Sequence, residues 1–162
     1  MSAAPRTAGG TAIAADVEAA ICDLFERRLT FNQVLGLVAD AHVAAGAGLR
    51  FEMRPELVGH YLYGRLHGGV IATALDAAAG FVLMLGVARK HPDDGVEQIL
   101  ARFARVGTID LRIDYLRPGL GSRFHARAEI TRLGGRIGSA QMRLENEAGV
   151  LIATGATSYI IS

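Results

Sequence analysis

The chain has 162 residues, 51% of them hydrophobic, with a mean hydropathy of +0.28. This is the size of one domain with a sizeable core, and it excludes disorder for most of the chain. Seventeen Lys and Arg face sixteen Asp and Glu, so the net charge of +1 carries no basic excess of the kind that points to nucleic acid. The single cysteine, Cys22, excludes an internal disulfide and a multi-cysteine metal site, and a reducing, cytoplasmic setting is the expectation.

Residues 1–10 carry Arg6 with no apolar run behind it, and read as a flexible tail rather than a signal peptide. Residues 11–162 show no repeat or linker and read as one domain. Its first part, 11–35, is helical in character: Ile13, Val17, Ala20, Ile21, Leu24 and Phe25 recur every three or four residues, and Thr11 stands where a cap is expected. Leu37, Ala39, Ala41 and Val43 then alternate with Asp40 and His42. Leu49, Phe51 and Met53 alternate with Arg50, Glu52 and Arg54, a strand that Pro55 ends. Residues 56–66 read as a loop.

Val70–Ala88 is nineteen residues long, largely apolar, with one charge, Asp76. A bilayer span needs about 20 apolar residues. An Asp at mid-helix costs about 2.5–3.5 kcal/mol there, so a buried central helix is the better reading and no membrane is expected. A turn over 91–95 and a short helix near 97–104 follow. The last third is β in character. Ile109, Leu111, Ile113 and Tyr115 alternate with Asp110, Arg112 and Asp114; Phe124–Ile130 and Ala140–Leu144 alternate likewise; Val150–Ile161 is apolar on both parities, as a central strand would be. Short turns at Pro118-Gly119, Gly134-Gly135 and 146–149 make the sheet antiparallel. The expected class is α+β, a curved antiparallel sheet around a long central helix.

The chemistry-bearing segment is Gly59–Gly80, GHYLYGRLHGGVIATALDAAAG. Gly68 and Gly69 open the helix, where free N–H groups and the helix dipole favour an oxyanion or a polarised carbonyl; the same pair also serves as a plain tight turn. Asp76 lies on a stripe with Gly69, Ala72, Thr73, Ala79, Gly80 and Leu83. A carboxylate on so small and apolar a stripe has a partner or a task. The stripe also suggests that another backbone packs very close. Gly68 and Asp76 are about 12 Å apart along one helix, too far to act together on one carbonyl. Two helices side by side across a two-fold axis bring them together, which points to a site between subunits. His67 organises the loop by hydrogen bonds. His60 is either a donor to the site or a surface residue. Thr108, on spacing alone, is an ordinary strand threonine. Arg132 and Arg136 flank Gly134-Gly135 and either meet phosphates or line a solvated turn. The five histidines lack metal-type spacing, so no metal or redox cofactor is implied.

Leu66-His67-Gly68-Gly69, then Asp76 nine residues after the histidine, then TIDLRIDYLRPG over 108–119, resemble the hotdog-fold acyl-CoA thioesterases of the PaaI type. The likeness covers about 35–161. The longer segment FEMRPELVG…RLHGGVIATALDAAAG most resembles the YigI-like branch, associated with medium- and long-chain acyl-CoA. The resemblance implies a hotdog fold, a homodimer or a dimer of such dimers, and hydrolysis of acyl-CoA to free acid and CoA, as in fatty acid metabolism. It makes Asp76 the nucleophile or general base, the Gly68 N–H the carbonyl polariser, and Thr108 the residue that positions the carboxylate. His67, Gly69, Arg132 and Arg136 fall to substrate binding. Many members carry an asparagine six residues before the HGG histidine. Tyr61 stands there in this chain, and one extra loop residue would bring His60 into that role. Two other functions share the fold: a non-catalytic acyl-CoA or lipid-binding module, and a dehydratase.

Overall fold

The computed structural model describes residues 12–41 and 46–162. The tail reading of 1–10, the Thr11 cap and the strand positions His42 and Val43 lie outside the described residues. Helix α1 (Ala15–Asp23), a π-turn (Leu24–Arg28) and α2 (Thr30–Leu35) precede β1 (Val38–Asp40) and β2 (Gly48–Glu52). A hairpin of β3 (Val58–His60) and β4 (Arg65–Leu66) leads into α3 (Gly68–Lys90) and α4 (Val96–Phe103). Strands β5 (Gly107–Tyr115), β6 (Arg123–Leu133), β7 (Ile137–Asn146) and β8 (Leu151–Ile160) follow.

Six of these strands form one antiparallel sheet in the order β1-β2-β6-β7-β8-β5, and the β3–β4 pair stands apart from it. Phe124, Ala126 and Ala128 are buried, while Arg123 and Glu129, on the opposite parity, are exposed. The buried face wraps α3, and α1 and α4 pack on the far side of that helix. Thus 72% of the most apolar 18-residue stretch of α3 is buried within the protein. The apolar length that resembles a bilayer span belongs to a core helix enclosed by sheet and helices.

Two expectations change. The segment over 11–35, read as helical in character, is helical in pieces: Leu29 is extended (φ −82°, ψ 98°) and separates α2 from the π-turn. The Phe25 carbonyl takes its hydrogen bond from the buried Asn32 side chain at 3.0 Å, so the break leaves no orphaned acceptor there. The loop expected over 56–66 holds the β3–β4 hairpin. Gly59 is why it closes, because a Cβ there would lie 2.5 Å from the His67 Cα. The hairpin is irregular: Val58 pairs with Leu66 but His60 with Arg65, so Gly59 is an extra residue in β3.

Candidate active site

The sequence of α3 determines how it begins. His67 is extended (φ −65°, ψ 138°), and its Nδ1 accepts the Gly69 N–H at 2.9 Å. That acceptance leaves the ring neutral with its proton on Nε2. One helix-terminal N–H is thereby used up, while the Gly68 N–H has no acceptor among the described residues. Tyr115, at the end of β5, donates its hydroxyl to the Gly68 carbonyl at 3.0 Å. Its ring lies about 3.5 Å from where a Gly68 Cβ would stand.

Two turns on, Asp76 is half-buried. Thr108 Oγ1 donates to its carboxylate, 3.2 Å from Oδ1 and 3.5 Å from Oδ2. The Tyr159 hydroxyl lies 2.5 Å from Oδ1 and 2.7 Å from the Asp76 main-chain carbonyl. Tyr159 is buried. Desolvation, then its hydrogen bond to Asp76, pushes the phenol above the ordinary tyrosine range, so it remains a protonated donor. Thr73 is not a partner of the carboxylate; its hydroxyl bonds the Gly69 carbonyl at 2.9 Å.

Thr108 reaches Asp76 because β5 slips. Thr108 pairs with Tyr159, but Asp110 pairs with Ser158, so Ile109 is an extra residue. Thr108 and Tyr115 are seven positions apart, and a regular strand would put them on opposite faces. The bulge reverses the phase, and both side chains meet α3.

The other candidate residues lie farther out. His60 is half-buried at the end of β3, its ring 4.7 Å from that of Tyr63 and 5.7 Å from that of Tyr61, and its Nδ1 is buried without a partner. Tyr61, at the hairpin tip, is 86% exposed. Arg132 and Arg136 are exposed at the β6–β7 turn, where Lys90 Nζ bonds the Gly134 carbonyl. Thr108, Tyr159, Gly138 and Leu133 form one row across four strands. The turn therefore sits about 14 Å from Thr108, at about 4.8 Å per strand. A groove of about 800 Å³ opens on the outer face of the sheet among Arg112, Arg127 and Arg143, the face opposite Asp76. No group of three His, Cys, Asp or Glu among the described residues is placed to hold a metal.

The stripe of small residues divides. Gly80 receives the side chains of Tyr159 and Phe25 about 3.5 Å from its would-be Cβ, not a backbone. Gly69, Ala72, Thr73 and Ala77 lie on open or half-open surface. Beside them runs β5, an edge strand whose Ile109 (57%), Leu111 (37%) and Tyr115 (55%) are exposed. Sequence reasoning missed Tyr159 and Tyr115. A buried tyrosine needs a partner for its hydroxyl, but which one depends on β8 pairing with β5, and no local pattern encodes that.

A long apolar helix that starts on HGG, carries one carboxylate and is wrapped by an antiparallel sheet is the hotdog arrangement of thioesterases. The chain belongs to the thioesterase superfamily, whose family model matches residues 63–153. It is 40% identical over 139 residues to the medium/long-chain acyl-CoA thioesterase YigI of Salmonella typhimurium, covering 86% of this chain and 90% of that one. The Escherichia coli K12 protein of the same name is 38% identical over the same length. Among solved structures, a Shewanella oneidensis protein related to the thioesterase superfamily superposes with a TM-score of 0.85 at 35% identity, over 91% of this chain and 97% of that one. A Bacillus halodurans protein crystallised with CoA gives 0.61 at 25% identity, over 90% and 85%.

Proposed function

We propose that the protein hydrolyses acyl-CoA thioesters, of medium to long chain, to the free acid and CoA, at a site shared by two copies of the chain. Asp76 carries the reading: a carboxylate on the open side of an apolar helix, aimed by two hydroxyls. The names of the YigI relatives supply the substrate class, and the CoA-bound neighbour supports it.

The thioester carbonyl lies between Asp76 of one protomer and the partner's Gly68. Asp76 either takes a proton from a water that attacks the carbonyl carbon, or attacks that carbon itself. In both routes the carbonyl electron pair moves onto oxygen, facing the Gly68 N–H and the positive end of the helix. When the pair returns, the C–S bond breaks and CoA leaves as a thiolate that takes up a proton. After direct attack, water then cleaves the acyl–Asp76 anhydride. Thr108 positions the carboxylate. His60 stands in for the family's asparagine, which holds the attacking water or the carbonyl; its half-buried place at the end of β3, beside the exposed Tyr61, supports that reading. Arg132 and Arg136 lie far enough from Asp76 to meet the phosphates at the distant end of CoA.

The pairing of two chains is supported by what one chain leaves uncovered: an edge strand with three exposed apolar residues next to a helix stripe of small ones. A cytoplasmic setting agrees with the lone, half-buried Cys22. Thiol release across an acyl-CoA chain-length series tests the function. Steady turnover that rises with chain length and depends on Asp76 is expected. Tight binding without thiol release would replace this reading with a binding module.

A further inference from the structure

We infer that Tyr159 is a positioning residue that holds Oδ1 of Asp76 and so makes Oδ2 the oxygen that reacts. The inference rests on the reading of Asp76 as the catalytic carboxylate. A tyrosine hydroxyl has one proton to give. Two acceptors lie within reach, Oδ1 at 2.5 Å and the Asp76 main-chain oxygen at 2.7 Å. The main-chain oxygen already serves the helix ladder, whereas Oδ1 is charged, and charge-assisted hydrogen bonds are the stronger and shorter ones. The proton therefore goes to Oδ1. Thr108 also sits closer to Oδ1 (3.2 Å) than to Oδ2 (3.5 Å). Two donors converge on one carboxylate oxygen, and the other keeps its lone pairs for water or for the thioester carbon.

The placement is rigid. Tyr159 is buried in β8, paired with Thr108 on one side and Gly138 on the other. Gly80, one turn beyond Asp76, leaves room for the ring: a Cβ there would lie about 3.5 Å from the Tyr159 hydroxyl and about 3.6 Å from the Phe25 ring. Few other charges bear on the carboxylate. Asp110 on β5 is engaged with the Ser158 N–H at 2.7 Å, and the other charged residues of α3, Arg89 and Lys90, come more than three turns later.

The test is Tyr159→Phe, which removes one oxygen, compared with Asp76→Asn in the same thiol-release assay over a range of pH. With Tyr159→Phe, kcat falls roughly tenfold, the loss expected for one hydrogen bond to a reacting group, while KM holds. The acid limb of kcat against pH moves to higher pH, because a carboxylate with one donor fewer takes a proton more readily. A merely structural tyrosine would alter the folded fraction and leave that limb in place. An unmoved limb beside an inactive Asp76→Asn would overturn the role of Tyr159 alone. An active Asp76→Asn would overturn the reading of Asp76 itself. Should Tyr159→Phe not fold, 3-fluorotyrosine in place of tyrosine strengthens the donor and must move the limb the other way; an unmoved limb there also ends the proposal.

Discussion

From Ala78 to Ala88 every residue of α3 is buried, whereas from Gly68 to Ala77 only Ile71, Ala74 and Leu75 are. The later half solves a packing problem within one chain. Sheet lies on one side of it and helices on the other, and its residues are selected by volume: Phe81, Met84 and Leu85 beside Gly80 and Gly86. A Cβ at Gly86 would meet the Ile130 side chain at 2.5 Å, so the glycine is space that Ile130 occupies. The earlier half has an open side, and an open helix side in water normally carries long charged residues. This one carries Gly69, Ala72, Thr73 and Ala77, with Asp76 as its single charge. Small residues on an open face let another backbone come close. The contrast separates a half that is packed within the chain from a half that keeps an open face around Asp76.

Substitutions in the two halves should therefore fail in different ways. Asp76→Asn should fold as the parent does and lose at least about 10²-fold in kcat, the usual scale for an acid–base group. Its melting curve and steady-state rates check both halves of that statement. Leu85→Ala, on the opposite side of the helix and 1% exposed, should do the reverse. It should cost about 2–5 kcal/mol of stability in denaturant titration and leave kcat per folded molecule unchanged. A large kcat loss in folded Leu85→Ala, or unfolding of Asp76→Asn, would erase the distinction.

Much of this was legible in the sequence, for reasons that differ by residue. The long C-terminal strands are written in alternation and the central helix in its apolar length, whereas α4 showed only as a short helix near 97–104. The helix start is written in His67-Gly68-Gly69, and Asp76 stands out because the residues three and four away are small. Thr108 was legible only through family resemblance. Strand parity groups it with Asp110 and away from Tyr115, and the bulge at Ile109 that reverses the phase has no local signature. Tyr159 was illegible because its meaning comes from pairing between strands far apart in sequence. The alternation of Ile109, Leu111 and Tyr115 suggested a core face, yet these side chains are exposed in a single chain. An alternating pattern reports that a face will be covered, not which molecule covers it.

A mixed dimer tests the open half directly. Asp76→Ala and Gly68→Val should each be inactive; the valine crowds the Tyr115 ring and the approach to the free N–H. In a mixed dimer one site receives both intact residues and the other receives both lesions. Random exchange makes about half of the dimers mixed, so about a quarter of parental activity should return. Tagged subunits verify the exchange. Verified mixed dimers without recovered thiol release would mean that both residues act from one chain.

The smallest expected effect lies at the edge of the open half, in the β3–β4 hairpin. His60 and Tyr61 are adjacent, and only one can take the place of the family's asparagine. His60 ends β3 half-buried and pairs with Arg65, while Tyr61 projects from the tip. The His60 Nδ1 is buried without a hydrogen-bond partner, which leaves Nε2 as the ring nitrogen to serve as donor. His60→Ala should then lower kcat by roughly tenfold, the scale of one lost hydrogen bond, well short of Asp76→Asn. His60→Asn should retain more activity than His60→Ala, because an amide N–H can replace Nε2–H while alanine supplies nothing. Tyr61→Phe should be close to silent, since its hydroxyl sits at the solvent-facing tip. If Tyr61→Phe is instead the damaging change and both His60 variants keep full activity, the asparagine's role belongs to Tyr61. The hairpin would then have to fold over the site when the second chain docks.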